Sequence, residues 1–116
     1  MINNKILVMG FAAALVPWST PVMSADAAEP ATISVTLKDH RFSPAEIHVA
    51  AGKPVVLRIA NDDDAAEEFD STALQVEKMI VGGHYATVRL RPLGAGRYPF
   101  MGEYHAETAR GVVIAE

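Results

Sequence analysis

From Ile33 onward apolar and polar residues alternate. Ile33, Val35 and Leu37 are separated by Ser34, Thr36 and Lys38. A repeat of two puts each set on its own face of an extended chain, so this run predicts a half-buried strand. The same pattern recurs down the chain. Ile47 and Val49 predict a short strand before the turn Ala51-Gly52-Lys53. Pro54–Ala60 predicts a strong strand with Val55, Leu57 and Ile59 on one face, broken by Asn61-Asp62-Asp63-Asp64. Glu67–Asp70, Tyr85–Leu90, Arg97–Met101 and Gly111–Ala115 complete the set. His40-Arg41-Phe42-Ser43-Pro44, Gly82-Gly83 and Pro92–Gly96 read as turns, and Ala73–Met79 as a loop or one helical turn. Short strands at near-regular spacing with little helix imply an all-β fold, an antiparallel sandwich or barrel.

The first residues follow another pattern. Lys5 is the lone positive charge before the apolar run Ile6–Leu15, and Pro17 and Pro21 end that run. Small residues follow, and Ala25-Asp26-Ala27 fits a small-x-small cleavage pattern. Residues 1–27 therefore read as a secretory signal peptide, with cleavage after Ser24 or Ala25 as alternatives. The run is short for a bilayer core of roughly 30 Å, which disfavours a membrane anchor. On this reading the folded domain is residues 28–116 and the chain is exported, which in a Gram-negative cell means the periplasm.

Composition narrows the chemistry. The chain has no cysteine, which excludes disulfides, cysteine-ligated zinc, iron–sulfur clusters and thiol catalysis. The formal charge of −4 argues against a nucleic-acid backbone as partner. Ser43 and Ser71 lack a Gly-x-Ser-x-Gly elbow, and there is neither a phosphate-cradling glycine loop nor a His-Glu-x-x-His pair. Asp62-Asp63-Asp64 lacks the glycine and distal glutamate of a calcium loop.

The mature chain resembles the cupredoxins. The residues that carry the likeness are Phe42-Ser43-Pro44-Ala45-Glu46-Ile47-His48-Val49 with Ala51-Gly52, and the strand running into Asn61. Gly94-Ala95-Gly96-Arg97-Tyr98-Pro99-Phe100, His105 and the strand Gly111–Ala115 complete it. The resemblance implies a single Greek-key β-sandwich. Glu67-Glu68-Phe69-Asp70-Ser71, Glu77-Lys78 and Gly102-Glu103-Tyr104-His105 are similar, more narrowly, to EfeO-type cupredoxin-like domains of periplasmic iron- and copper-handling proteins.

In the family's copper site, the first histidine position falls on Glu67 and the cysteine position on Gly102. The second histidine is retained as His105, and the methionine position falls on or near Thr108. Loss of the thiolate excludes an ordinary type 1 copper centre. Acids stand nearby instead, and carboxylate with imidazole suits iron, Cu(II) or Zn(II) better than Cu(I). The expected metal ligands are His105, Glu103 and Glu67 or Glu68, with His40 and Met101 as further candidates. Glu67 shares a strand face with Phe69, so it is preferred to Glu68 as the inward residue. Met79 reads as packing, and His48, His84 and Glu107 as solvent-facing.

These readings imply a metal-binding protein, taking iron or a copper ion, that supports metal uptake or Fe(II) oxidation. It would pass its ion or an electron to an inner-membrane permease or another periplasmic transport component. Metal-centred oxidation of Fe(II) is the sole catalytic reading. The alternative is a metal-free sandwich that serves as an interaction module.

Overall fold

A computed structural model describes Lys5, residues 9–21 and residues 29–116. The start of the apolar run Ile6–Leu15 and the expected cleavage stretch Ala25-Asp26-Ala27 lie outside the described residues. Residues 9–21 carry no helix or strand, and Phe11, Leu15 and Trp18 are exposed and take no part in the core.

The described chain from Ala31 on is nine strands in two packed sheets. They are β1 (Ala31–Lys38), β2 (Arg41–Ser43), β3 (Glu46–Val49), β4 (Val55–Asn61), β5 (Glu67–Ser71), β6 (Val76–Ile80), β7 (Tyr85–Leu90), β8 (Gly96–Gly102) and β9 (Arg110–Ala115). One sheet has the order β2-β1-β4-β7 and the other β3-β9-β8-β5-β6. A one-turn 3-10 helix, Glu103–His105, follows β8.

Alternation does what the sequence predicts. Val35, Leu37, Val55, Leu57 and Ile59 from one sheet meet Ile47, Phe69, Phe100 and Val113 from the other, all buried. Phe42, Phe69 and Phe100 form the aromatic centre of this core, with Phe69 and Phe100 ring centroids 4.9 Å apart. Aromatic pairs in such arrangements add to the stability gained from burial alone.

Three details differ from the sequence expectation. The sandwich is not purely antiparallel: β1 pairs parallel with β4, and β3 pairs parallel with β9. Both pairs arise because the chain crosses between sheets, and a parallel partner needs such a crossover. The expected turn from His40 to Pro44 shrinks to Asp39-His40, and Arg41–Ser43 pairs back onto β1 as a short strand. Finally, Val76–Ile80 is a strand rather than a loop or helical turn. Its exposure does not alternate cleanly, which hid it, and its place comes from pairing with β5.

Ser71 shows how polar groups are accommodated in this interior. Its hydroxyl donates to the Pro99 carbonyl at 2.7 Å and accepts from the Leu74 amide at 2.9 Å. Ser71→Ala removes both bonds and leaves two backbone groups to find new partners. The expected loss is about 1–2 kcal/mol in a denaturant melt.

Candidate metal centre

At one end of the sandwich three segments meet: the β1–β2 turn, the start of β5 and the 3-10 turn after β8. Glu67 opens β5 facing inward with Phe69 and Ser71, while Glu68 and Asp70 face outward. Its side chain is 1% exposed. Burying a carboxylate costs several kcal/mol unless its oxygens are paired. Here Oε1 accepts from the Tyr104 amide at 2.9 Å and the Glu68 amide at 3.0 Å. Oε2 lies 2.5 Å from Nδ1 of His105. Among the described residues, no buried side-chain nitrogen or oxygen lacks a partner.

His105 is delivered by a tightly closed loop. The Gly102 amide donates to the Ala109 carbonyl at 2.8 Å, and the Ala109 amide donates back to the His105 carbonyl at 2.9 Å. Gly102 pairs with Phe69 in the sheet and is buried. A Cβ at Gly102 would stand 2.6 Å from Cδ of Glu67 and 2.8 Å from Cβ of Ala109. Both distances are well inside van der Waals contact. The Glu67 side chain therefore fills the space into which any side chain at position 102 would project.

His40 completes the cluster. Asp39 and His40 both have left-handed backbone, with φ of 50° and 55°. They form the two-residue hairpin turn between Lys38 and Arg41. The His40 ring stacks on His105, with centroids 3.6 Å apart and planes 11° from parallel. The turn is held by Asp63, whose Oδ1 accepts from the Asp39 amide at 2.8 Å and whose Oδ2 accepts from the His40 amide at 2.9 Å.

The His40 amide, foremost, holds the Asp63 carboxyl below its ordinary value of 3.8, with the Asp39 amide and nearby positive charge helping against burial. The sign follows: a depressed carboxyl stabilises the fold above its unfolded pKa and loses that contribution only as pH falls through the lower folded value. The turn should therefore survive acidification through about pH 4, where an ordinary carboxylate is half protonated. Amide shifts of Asp39 and His40 followed by NMR should step only below that pH.

The structure thus brings together His40, Glu67 and His105. One donor atom from each lies within 4.8 Å of the others, and this is the one such trio of histidine and acidic side chains among the described residues. The remaining candidates lie elsewhere. Glu68 and Glu103 interact with each other, and the Glu68 charge chiefly pushes the exposed Glu103 carboxyl above the usual range. Met101 sits on the outer face beside Asp70, alternating away from buried Phe100 and Gly102. Met79 is exposed opposite Glu68. His48, His84, Glu107 and Thr108 are exposed. Asp63, which the sequence marks as part of a strand-breaking acidic run without the spacing of a calcium loop, joins the cluster unannounced. The sequence signal was Asn61 two residues earlier, whose Oδ1 accepts from the Asp63 amide at 3.1 Å.

The donor set fits some ions and not others. A type 1 copper site needs a cysteine thiolate, and the chain has no cysteine. The Glu67 side chain also occupies the space at position 102. Two imidazoles and one carboxylate suit Fe(II), Zn(II) or Cu(II). Metal–ligand bonds of about 2.1 Å set tetrahedral donors about 3.4 Å apart. Donor atoms within 4.8 Å of one another stand at most about 1.4 Å beyond that spacing. Oε2 of Glu67 and Nδ1 of His105, at 2.5 Å, would separate, and the stacked His40 and His105 rings would turn to aim at one ion.

Comparison with known proteins gives a family and a fold. A family model described as a cupredoxin-like domain matches residues 7–115. A curated relative, an uncharacterized protein of Rickettsia prowazekii (strain Madrid E), is 37% identical over 82 residues. That match covers 71% of this chain and 66% of the relative, just under two thirds of the relative's length. Among solved structures, auracyanin A, a "blue" copper protein from Chloroflexus aurantiacus, is similar with a TM-score of 0.65 at 16% identity. It covers 76% of this chain and 100% of its own. The metal-binding domain of the Cu(I)-exporting P-type ATPase CopA of Streptococcus pneumoniae D39, solved with Cu(I), has a TM-score of 0.63 at 17% identity, covering 73% and 84%. Amicyanin from Paracoccus versutus has a TM-score of 0.58 at 19% identity, covering 79% and 89%. At these identities the likeness is one of fold.

Proposed function

Because the chain belongs to the cupredoxin-like domain family, we propose that it binds a metal ion through His40, Glu67 and His105, taking iron or Cu(II) in place of the family's sulfur-ligated copper. The observation that carries this reading is the convergence of two imidazoles on a fully buried carboxylate. A buried anion beside two imidazoles is a natural seat for a divalent cation, which replaces the His105–Glu67 proton as the partner of the charge. Carboxylate ligation favours the higher charge of Fe(III) or Cu(II) over the reduced ion. The site therefore suits a carrier of oxidised ions or an accessory to Fe(II) oxidation.

The leader and the narrower likeness to EfeO-type domains support a periplasmic setting. There the protein would hand its ion to an inner-membrane permease or another transport component. Glu68, Glu103 and Met101 lie outside the trio and are assigned no ligand role.

Calorimetric titration of the chain without its leader with Cu(II), Zn(II) and Fe(II), the last without oxygen, tests the proposal. Binding of one ion at a Kd tighter than about 10 μM, roughly 7 kcal/mol, is expected. Absence of such binding for all three ions overturns it and leaves the sandwich as a metal-free interaction module.

A further inference from the structure

The three ligands proposed above do not rest on equally secure backbone. Glu67 sits in a sheet, and His105 sits in a loop closed by paired main-chain bonds. His40 sits at the tip of a hairpin, on backbone that non-glycine residues adopt at a cost. Without an external hold, such a turn has no reason to keep the His40 ring against His105.

Asp63 supplies that hold. Its two carboxylate oxygens accept the two turn amides at 2.8 and 2.9 Å, one oxygen for each. The same Oδ2 lies 3.5 Å from Nδ1 of His40, too long for a strong hydrogen bond but close enough to bias the ring's orientation. Asp63 is fixed in turn by Asn61, which is fully buried. The Asn61 amide group donates to the Ala65 carbonyl at 2.9 Å and the Ile80 carbonyl at 3.0 Å, and its oxygen accepts from the Asp63 amide. The Gly83 amide also donates to the Asp63 carbonyl at 3.0 Å. A continuous line of hydrogen bonds therefore runs from the sandwich interior through Asn61 and Asp63 to the backbone that carries His40.

We infer that Asp63 is the positioning residue of the metal site: it touches no ion, and it presents His40 as the second imidazole. The inference rests on the metal-binding reading above and adds a residue to it. Partners that orient a metal-binding histidine commonly change affinity by about 10–100-fold when removed.

The test compares the intact protein with Asp63→Ala, Asp63→Asn and His40→Ala, each titrated with Cu(II) and followed by electron paramagnetic resonance. Nitrogen couplings report how many imidazoles hold the ion. In the intact protein two are expected. Asp63→Ala should bind about 10–100-fold more weakly and show one imidazole, as His40→Ala does. Asp63→Asn retains one strong acceptor and should fall between. It also carries the test if Asp63→Ala does not fold. Intact protein that binds with two imidazoles, beside a folded Asp63 variant that keeps both and its affinity, overturns the role of Asp63 alone. Intact protein that binds no ion overturns the metal reading itself.

Discussion

Gly102→Cys is expected to destabilise the protein by about 2–3 kcal/mol and to leave it without a blue copper centre. The resemblance to cupredoxins places the cysteine at this position, so simple restoration invites the opposite expectation. Geometry decides against it. The new Cβ would meet Cδ of Glu67 at 2.6 Å and Cβ of Ala109 at 2.8 Å. Ala109 is fully buried and cannot retreat. Glu67 is held by the Tyr104 and Glu68 amides and by His105, so moving it breaks hydrogen bonds to a buried charge. Urea melts should show the loss, and the Cu(II)-treated variant should lack intense visible absorption. The clash also predicts coupling. Gly102→Ala combined with Glu67→Ala should cost less than the sum of the two single changes, by about 0.5–3 kcal/mol. Strict additivity would mean that the two side chains do not compete for one space.

Glu67→Gln is expected to weaken Cu(II) or Zn(II) binding by at least about 100-fold while leaving the fold largely intact. The glutamine oxygen can still accept the Tyr104 and Glu68 amides. Its NH2 group can donate to Nδ1 of His105 when that imidazole carries its proton on Nε2. What disappears is the negative charge and an anionic donor. Removing a residue that only orients a ligand commonly costs about 10–100-fold, so losing a ligand should reach or pass the upper end of that range. Calorimetry beside a denaturant melt separates the two effects. Unchanged affinity in a folded variant would make Glu67 a hydrogen-bond partner of His105 and not a ligand.

Much of the fold is visible in the sequence because period-two alternation states which face of a strand is buried. Val35 and Leu37 in β1 and Leu57 and Ile59 in β4 lie where that pattern puts them. Alternation says nothing about which strand lies alongside or in which direction. The parallel β1–β4 and β3–β9 pairs were therefore not legible. The same parity places Glu67 on the face of Phe69, and both are buried.

The rest of the site depends on contacts distant in sequence. Glu103 and His105 are two residues apart, which suggests a shared role, but the 3-10 turn sends Glu103 toward Glu68. His40 reaches His105 only because a hairpin on the opposite sheet ends above it. Asp63 meets that hairpin across a separation of more than twenty residues. No local pattern encodes such meetings.

The proposed ion binds where His40, Glu67 and His105 converge. The most direct measurement is a Zn(II) titration of residues 28–116, following the imidazole resonances of the four histidines by NMR. His40 and His105 should shift together and saturate at one equivalent, while His48 and His84, both exposed and outside the cluster, stay in place. If Zn(II) shifts His48 or His84 in place of His40 and His105, or if all four histidines drift together without saturating, the claim is contradicted.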